Sequence, residues 1–273
     1  MLDATIYCYS GHHKMLSEIK KVGYTPVGLG NDKFSEEWIR DNTLVNISHK
    51  NRYYAELTFH YWFWKNILPK KKDNRWVGFC SYRELWGNKK KITKSSKFED
   101  VVLTEIPKEW ETFDTIIGEH IYINNLKFSK LLKRGLWSLA RNPYAIFKSK
   151  RNIRFQFDMW HGNGNLDKAI DLMDDNDRED FRKYTLENVS FSRGQMFVCR
   201  SKKIMDNYFT SVFPWLERCE KIFGFNQELG RYEARIYGYL AERYMSYWFN
   251  KYTKPLLWPV IFFDITKKLN EKN

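Results

Sequence analysis

The chain has 273 residues, an apolar share of 43% and a formal net charge of +13, enough length and apolar character for a large α/β domain with a real core. Its four cysteines, Cys8, Cys80, Cys199 and Cys219, are scattered with no C-x-x-C spacing, so no disulfide framework or zinc site is signalled and a reducing cytoplasm fits best. No run reaches the roughly 20 apolar residues that span a bilayer.

Basic clusters at Lys70 to Lys72, Lys89 to Lys91 and Lys148 to Arg154 point to a polyanionic partner, or else to solvated loops that keep the protein soluble. Three classes of partner compete: nucleic acid, an anionic membrane surface and a phosphorylated small molecule. No RNP, zinc-finger or helix-turn-helix pattern accompanies the charge, which argues against nucleic acid. The aromatic share of 18%, with 11 Trp, is common where rings stack on sugars or bases, and also in cores.

In chain order, MLDATIYCYSG lacks a basic stretch followed by a long apolar run and reads as a first strand over residues 4 to 9. The sequons at Asn46-Ile47-Ser48 and Asn188-Val189-Ser190 are then expected to stay unglycosylated. A polar turn, Ser10 to Lys14, leads to an expected helix from about Met15 to Val22, and Pro26 to Gly30 gives a second short strand. This alternation opens a doubly wound sheet. Asn46 to Asn51 is rich in capping residues and leads into one long aromatic helix, with Tyr53, Leu57, Tyr61, Trp64 and Leu68 at helical spacing, that ends near Pro69.

Trp76 to Cys80 is expected as a buried strand and Val101 to Thr104 as another. From about Ile116 to Arg154 the pattern predicts helix, broken at Asn142-Pro143, with further helices at Leu166 to Met173 and Asp180 to Leu186. Ser192 to Arg200 reads as a late strand, and helices from Lys203 to Phe223 and from about Tyr232 to Phe249 close the domain. Pro255 to Phe263 is too short to span a bilayer and is expected to be buried against Tyr244 to Phe249, with a shallow membrane contact as the alternative. No repeat or linker interrupts the chain, so a single domain over residues 1–273 is expected.

Four constellations could carry chemistry. His12-His13-Lys14 follows the first strand, where a turn commonly meets a nucleotide, although a plain surface turn would look the same. Asn46, Ser48, Asn51 and Glu56 border or enter the aromatic helix; Glu56 among rings is costly unless paired or ligand-bound, whereas the Asn and Ser residues could simply cap. Ser81-Tyr82-Arg83-Glu84 lies past the buried strand, where an Arg can grip a diphosphate bidentately or make a structural salt bridge. Asp175-Asn-Asp177 is a D-x-D, a carboxylate pair suited to a hard cation, but it sits between two helices and not at a strand end.

Taken together these residues resemble the bacterial capsular and exopolysaccharide glycosyltransferase family long catalogued as domain of unknown function 4422. The matching stretches are His13-Lys14, Asn46-Ile-Ser-His-Lys-Asn51, Glu56-Leu-Thr-Phe-His-Tyr-Trp-Phe-Trp-Lys-Asn66, Gly78-Phe-Cys-Ser-Tyr-Arg-Glu84, Met196-Phe197 and Arg235-Ile-Tyr-Gly-Tyr-Leu-Ala-Glu-Arg243. Two positions depart from the family pattern: Ser81 stands where it has His, and Glu84 where it has a second Arg.

The resemblance implies a GT-A-like, Rossmann-related nucleotide-sugar fold, with a mixed central sheet flanked by helices, a donor half over about 1–110 and an acceptor half over about 111–273. It implies transfer of a hexose from a nucleotide sugar, a UDP-sugar first among the candidates, to a glycan or lipid-linked glycan in surface polysaccharide biosynthesis. The expected location is cytoplasmic, with peripheral contact at the inner face of the membrane as an option. Donor contacts fall on His13, Lys14, Asn46, Ser48, Asn51, Glu56, Tyr82, Arg83 and Glu84. Because Tyr82-Arg83 stands where such folds carry a metal-binding D-x-D, Arg83 with Lys14 is expected to neutralise the leaving diphosphate, and no metal ligands are assigned. Glu242 is the first candidate for a general base, ahead of Asp158 and His161; a structural lock between Glu242 and Arg243 or Arg235 competes, and Trp160 could stack on the acceptor. The alternatives are a non-catalytic basic protein that binds an anionic polymer or nucleic acid, and a degenerate homologue that binds sugars without turnover.

Overall fold

The structure, a computed structural model, describes residues 4–91, 97–125, 136–230 and 233–262. Its strands are β1 (Ala4–Ser10), β2 (Thr25–Gly28), β3 (Ile39–Arg40), β4 (Trp76–Ser81), β5 (Glu84–Trp86), β6 (Thr115–Gly118), β7 (His120–Tyr122), β8 (Ser190–Ser192), β9 (Phe197–Cys199), β10 (Leu256–Trp258) and β11 (Val260–Phe262). The helices used below are α1 (Leu16–Lys21), α2 (Asn51–Tyr54), α3 (Leu57–Asn66), α4 (Phe98–Val101), α5 (Ile153–His161), α6 (Asn165–Asp171), α7 (Asp175–Glu187), α8 (Lys202–Phe223) and α9 (Ile236–Tyr252).

Among the described residues, the main sheet runs in the order β10-β6-β9-β4-β1-β2-β3, with β5 paired to β4 and β11. Strands β3, β2, β1 and β4 run parallel to one another, whereas β9 lies antiparallel to both β4 and β6. The sheet is therefore mixed, flanked by helices as the GT-A-like expectation requires. Residues Ile6 to Ser10 of β1 and Trp76 to Cys80 of β4 are buried on both faces, the pattern of central strands covered by helices above and below. One face packs Tyr7, Phe79 and Phe197 against Phe59 and Phe63 of α3, Phe209 of α8 and Phe249 of α9. The other packs Ile6, Cys8 and Cys80 against Met15, Ile19, Trp86 and Trp110. At Gly78 a Cβ would meet Ile6 Cδ1 at 2.7 Å and a Val198 methyl at 2.8 Å, so three adjacent strands close over this position only because it lacks a side chain.

Several expected elements take another form. The long aromatic helix breaks at Ala55, which adopts φ 51°, so α2 and α3 are separate and Glu56 stands at the N-terminus of α3. Val101 ends α4, and Val102 makes only an isolated bridge to Gly87. The stretch expected as helix from Ile116 opens instead with the strands β6 and β7, and residues 126–135 of it lie outside the described residues. Its apolar run Thr115–Gly118 is fully buried between β9 and β10, where a short apolar segment satisfies sheet and helix patterns equally. The late strand divides into β8 and β9 around a turn at 193–196. The C-terminal segment extends the sheet: β10 pairs with β6 and β11 with β5, burying Trp258 but leaving Leu257 and Phe262 exposed.

Candidate active site

β1 leads to β2 on one side and β4 lies on the other, so the sheet order reverses between β1 and β4. In open α/β sheets the crevice beyond the carboxyl ends of strands at such a reversal is where ligands bind. The chain places a concentration of charge at this point. Tyr82 N–H donates to Tyr9 O (3.0 Å), and the His12 and Tyr82 rings meet edge to face with centroids 6.0 Å apart. The turns leaving β1 and β4 are thus side by side.

Between β4 and β5 the hairpin turn is Tyr82-Arg83. Ser81 Oγ accepts the backbone N–H of Arg83 (3.3 Å) and of Glu84 (3.1 Å), which gives Ser81 a definite local task. Glu84 pairs with Arg193 Nε at 2.5 Å, so the carboxylate that departs from the family pattern carries its own counter-ion. The guanidiniums of Arg83 and Arg193 both lie near the Phe262 ring, at 5.1 and 5.8 Å from its centroid.

Glu242, in α9, accepts Gly194 N–H at 2.7 Å and Arg243 Nη1 at 2.5 Å. Gly194 has φ 68°, and a Cβ there would come within 3.4 Å of Glu84 Oε2. The 193–196 turn therefore touches Glu84 on one side and Glu242 on the other. Glu56 completes the group: burial, and then the charges of Glu242 and Glu84, push its carboxyl up to about 7, against opposing help from its own backbone N–H and Arg235. Burial likewise raises Glu84, with Glu242 adding to the rise and Arg193 and Arg83 opposing it. Tyr9, buried at the end of β1 and donating to Gln195 O (3.3 Å), feels both Glu56 and Glu84. Three glutamates from α3, β5 and α9 thus share one electrostatic environment at the strand ends. Carboxylates whose proton affinity is raised by burial and by neighbouring charge are candidates for acid–base chemistry.

The other sequence candidates are placed as follows. Asp158, on α5, accepts Gly164 N–H at 3.0 Å and lines a separate cleft of about 200 Å³ with Arg141, Asn152 and Arg154. His161, one turn on, stacks against Tyr239 with centroids 4.0 Å apart; burial and the nearby Arg243 depress its pKa to about 2. Arg243 bridges the two regions, since it pairs with Glu242 and also donates to Gln156 Oε1 of α5 at 2.9 Å. Trp160 packs on the small cluster of Ala145, Phe155 and Met159.

His13 is bound to Asp32 through both its backbone N–H (2.8 Å) and its ring (2.9 Å), and Lys14 is exposed beside it. Asn46 Oδ1 accepts from Ser48 Oγ at 2.9 Å and so braces the turn ahead of α2, whereas Asn51 Nδ2 donates to Ala55 O at 3.0 Å and braces the α2–α3 break. Asp177 of the D-x-D lies in the first turn of α7, buried beneath Tyr244, Tyr247, Tyr252 and Lys251. Among the described residues no group of three or more His, Cys, Asp or Glu is arranged to hold a metal ion.

Sequence reasoning missed Arg193 and Gly194. Their signal was a Gly between polar residues inside a strand pattern, which marks a turn or bulge.

Residues 6–254 match the family described as Domain of unknown function (DUF4422). The chain belongs to this family. No curated protein matches it. Among solved structures it is similar to WbbM, a bifunctional glycosyltransferase in its apo form, with a TM-score of 0.70 and 20% identity over 96% of this chain. The chain spans 45% of the WbbM chain. At that identity the likeness is one of fold, and it bears out the GT-A-like architecture.

Proposed function

We propose that this DUF4422 protein is a glycosyltransferase that moves a hexose from a nucleotide sugar to a glycan acceptor in surface polysaccharide biosynthesis. The observation that carries the reading is the convergence of Glu56, Glu84 and Glu242 with Arg83 and Arg193 at the β1–β4 strand ends. The similarity to WbbM supports it.

In this reading residues 1–110 hold the donor and the remainder supplies acceptor contacts. Glu242, oriented by Gly194 N–H and Arg243, accepts the acceptor hydroxyl proton as that oxygen bonds to the anomeric carbon. The bond from that carbon to the diphosphate oxygen breaks, and Arg83 with Lys14 offsets the charge on the leaving nucleoside diphosphate. Glu56, protonated near neutrality, donates to a sugar hydroxyl.

The test is a thermal-shift screen against UDP-, GDP-, CMP- and dTDP-sugars, with and without Mn²⁺, followed by donor turnover. A ligand that binds only the native state raises its unfolding temperature with concentration, so one nucleotide class should stand out, a UDP-sugar first. If none does, the reading fails; if turnover vanishes with chelator, the role given to Arg83 and Lys14 fails. Binding that responds to no nucleotide sugar yet weakens steeply with ionic strength identifies a polyanion-binding protein instead.

A further inference from the structure

Residues 136–150 present an outer surface to which the transferase reading assigns no individual contact. Leu136 is 61% exposed, Trp137 81%, Tyr144 69%, Ile146 52% and Phe147 63%. Single exposed apolar side chains are ordinary, but this many large ones concentrated in one short segment are the density that marks an interaction site. Arg141, Lys148 and Lys150 are exposed among them, and no Asp or Glu occurs from residue 136 to 151.

The segment is anchored from beneath. Arg151 is buried and donates to Ala145 O at 2.9 Å, Ile146 O at 2.9 Å and Asn124 O at 3.3 Å. Ala145 is fully buried against Phe155 and Met159, with Leu139 and Trp160 packed alongside. The inward face of the 143–146 turn is therefore fixed by a guanidinium and a small core, and Tyr144, Ile146 and Phe147 project from a built platform.

We propose that this platform docks the protein on an anionic lipid bilayer. Trp and Tyr favour the interfacial zone of a membrane, where an apolar ring and a polar edge are both satisfied. Lysines beside them reach anionic headgroups while their stems lie on apolar surface. Leu136 and Ile146 decide between a bilayer and a nucleic acid, since aliphatic side chains gain from acyl chains and have no ring to stack on bases. No helix among the described residues is long and apolar enough to cross a membrane; the contact proposed is one in the interface plane. The proposal stands apart from the transferase reading and does not need it.

The test is co-sedimentation of the full chain with vesicles of phosphatidylcholine alone, or of equal parts phosphatidylcholine and phosphatidylglycerol. Binding to the anionic vesicles is expected. It should fall about tenfold or more in Trp137→Ser with Phe147→Ser, and about fivefold for each of Lys148→Ser and Lys150→Ser. Ile222→Ser, which removes an exposed apolar side chain on α8, should change nothing. Should the Trp137 and Phe147 pair lower the unfolding temperature, Tyr144→Ser with Ile146→Ser replaces it. The proposal is overturned if the chain ignores anionic vesicles, if the folded apolar variants bind them as well as the parent does, or if single-stranded RNA binds through these same side chains and vesicles do not.

Discussion

Two acidic centres in this protein use the same functional group in opposite ways. Asp177, beneath α9, accepts from Tyr244 at 2.6 Å, Tyr252 at 2.7 Å, Tyr247 at 3.0 Å and Lys251 at 3.0 Å. Burial pushes its carboxyl up, but the hydrogen bonds from these donors carry it below the ordinary value. At the other end of α9, burial raises Glu56 and Glu84, and the charge of Glu242 adds to the rise of both. A carboxylate enclosed by matched donors fastens α7 to α9 and has no capacity left for a substrate. Carboxylates that disfavour one another's charge are held there at a cost in stability, the signature of a site kept for chemistry.

The sharpest way to break this contrast is to neutralise one member of each centre. Glu242→Gln keeps the shape and the contact with Gly194 N–H but removes the counter-ion of the buried Arg243, so the unfolding temperature should fall, and turnover is compared on the folded fraction. Turnover of the nucleotide sugar should drop about 10³-fold, the range for loss of a general base, while the thermal shift on donor binding persists. Full activity in this variant would remove Glu242 from the mechanism. Asp177→Ala should act on stability alone: three tyrosine hydroxyls and a lysine lose a shared acceptor, which costs about 3 kcal/mol by chemical denaturation. Whatever protein remains folded should keep its kcat.

Legibility in the sequence followed the same division. Local rules found β1, β2, β4, α8 and α9, because each has a long apolar or periodic run whose burial dictates its form. The cage around Asp177 was not legible: D-x-D spacing describes neighbouring residues, whereas the tyrosines that neutralise Asp177 arrive from α9, far along the chain. The members of the glutamate cluster could be named singly as Glu56, Glu84 and Glu242, but their assembly rests on the reversal of strand order between β1 and β4 and on the 193–196 turn, which is tertiary information. The positive φ at Ala55, which turns Glu56 to the start of α3, carried no signal, since Ala is an ordinary helix former.

A third substitution probes the cost of the glutamate cluster through pH. Glu56 binds its proton up to about pH 7 when folded, against 4.5 for the free side chain. The folded state therefore holds more protons across that window, and its contribution to stability is full below 4.5 and lost as pH rises through 7. Glu56→Gln should leave stability nearly unchanged at the acid end and raise it above pH 7 by about 2 kcal/mol, a figure discounted because the side chain is only partly buried. Denaturant midpoints at the two ends of the window measure this directly. Equal midpoints for parent and variant at both ends would mean that Glu56 sits in an ordinary solvated environment.

The smallest effect separates scaffold from chemistry inside the site itself. Ser81 Oγ accepts the N–H groups of Arg83 and Glu84, so within the charged crevice this residue behaves like the Asp177 cage, satisfying donors and holding shape. Ser81→Ala should cost about 1 kcal/mol, the usual net worth of such hydrogen bonds. If its role is to set the Tyr82-Arg83 turn, kcat for the donor should change little while KM rises modestly, because a looser turn presents Arg83 less well. A kcat loss as large as that of Glu242→Gln, with unchanged stability, would instead place the Ser81 hydroxyl on the reacting sugar and move the boundary between the two kinds of residue into the β4–β5 hairpin.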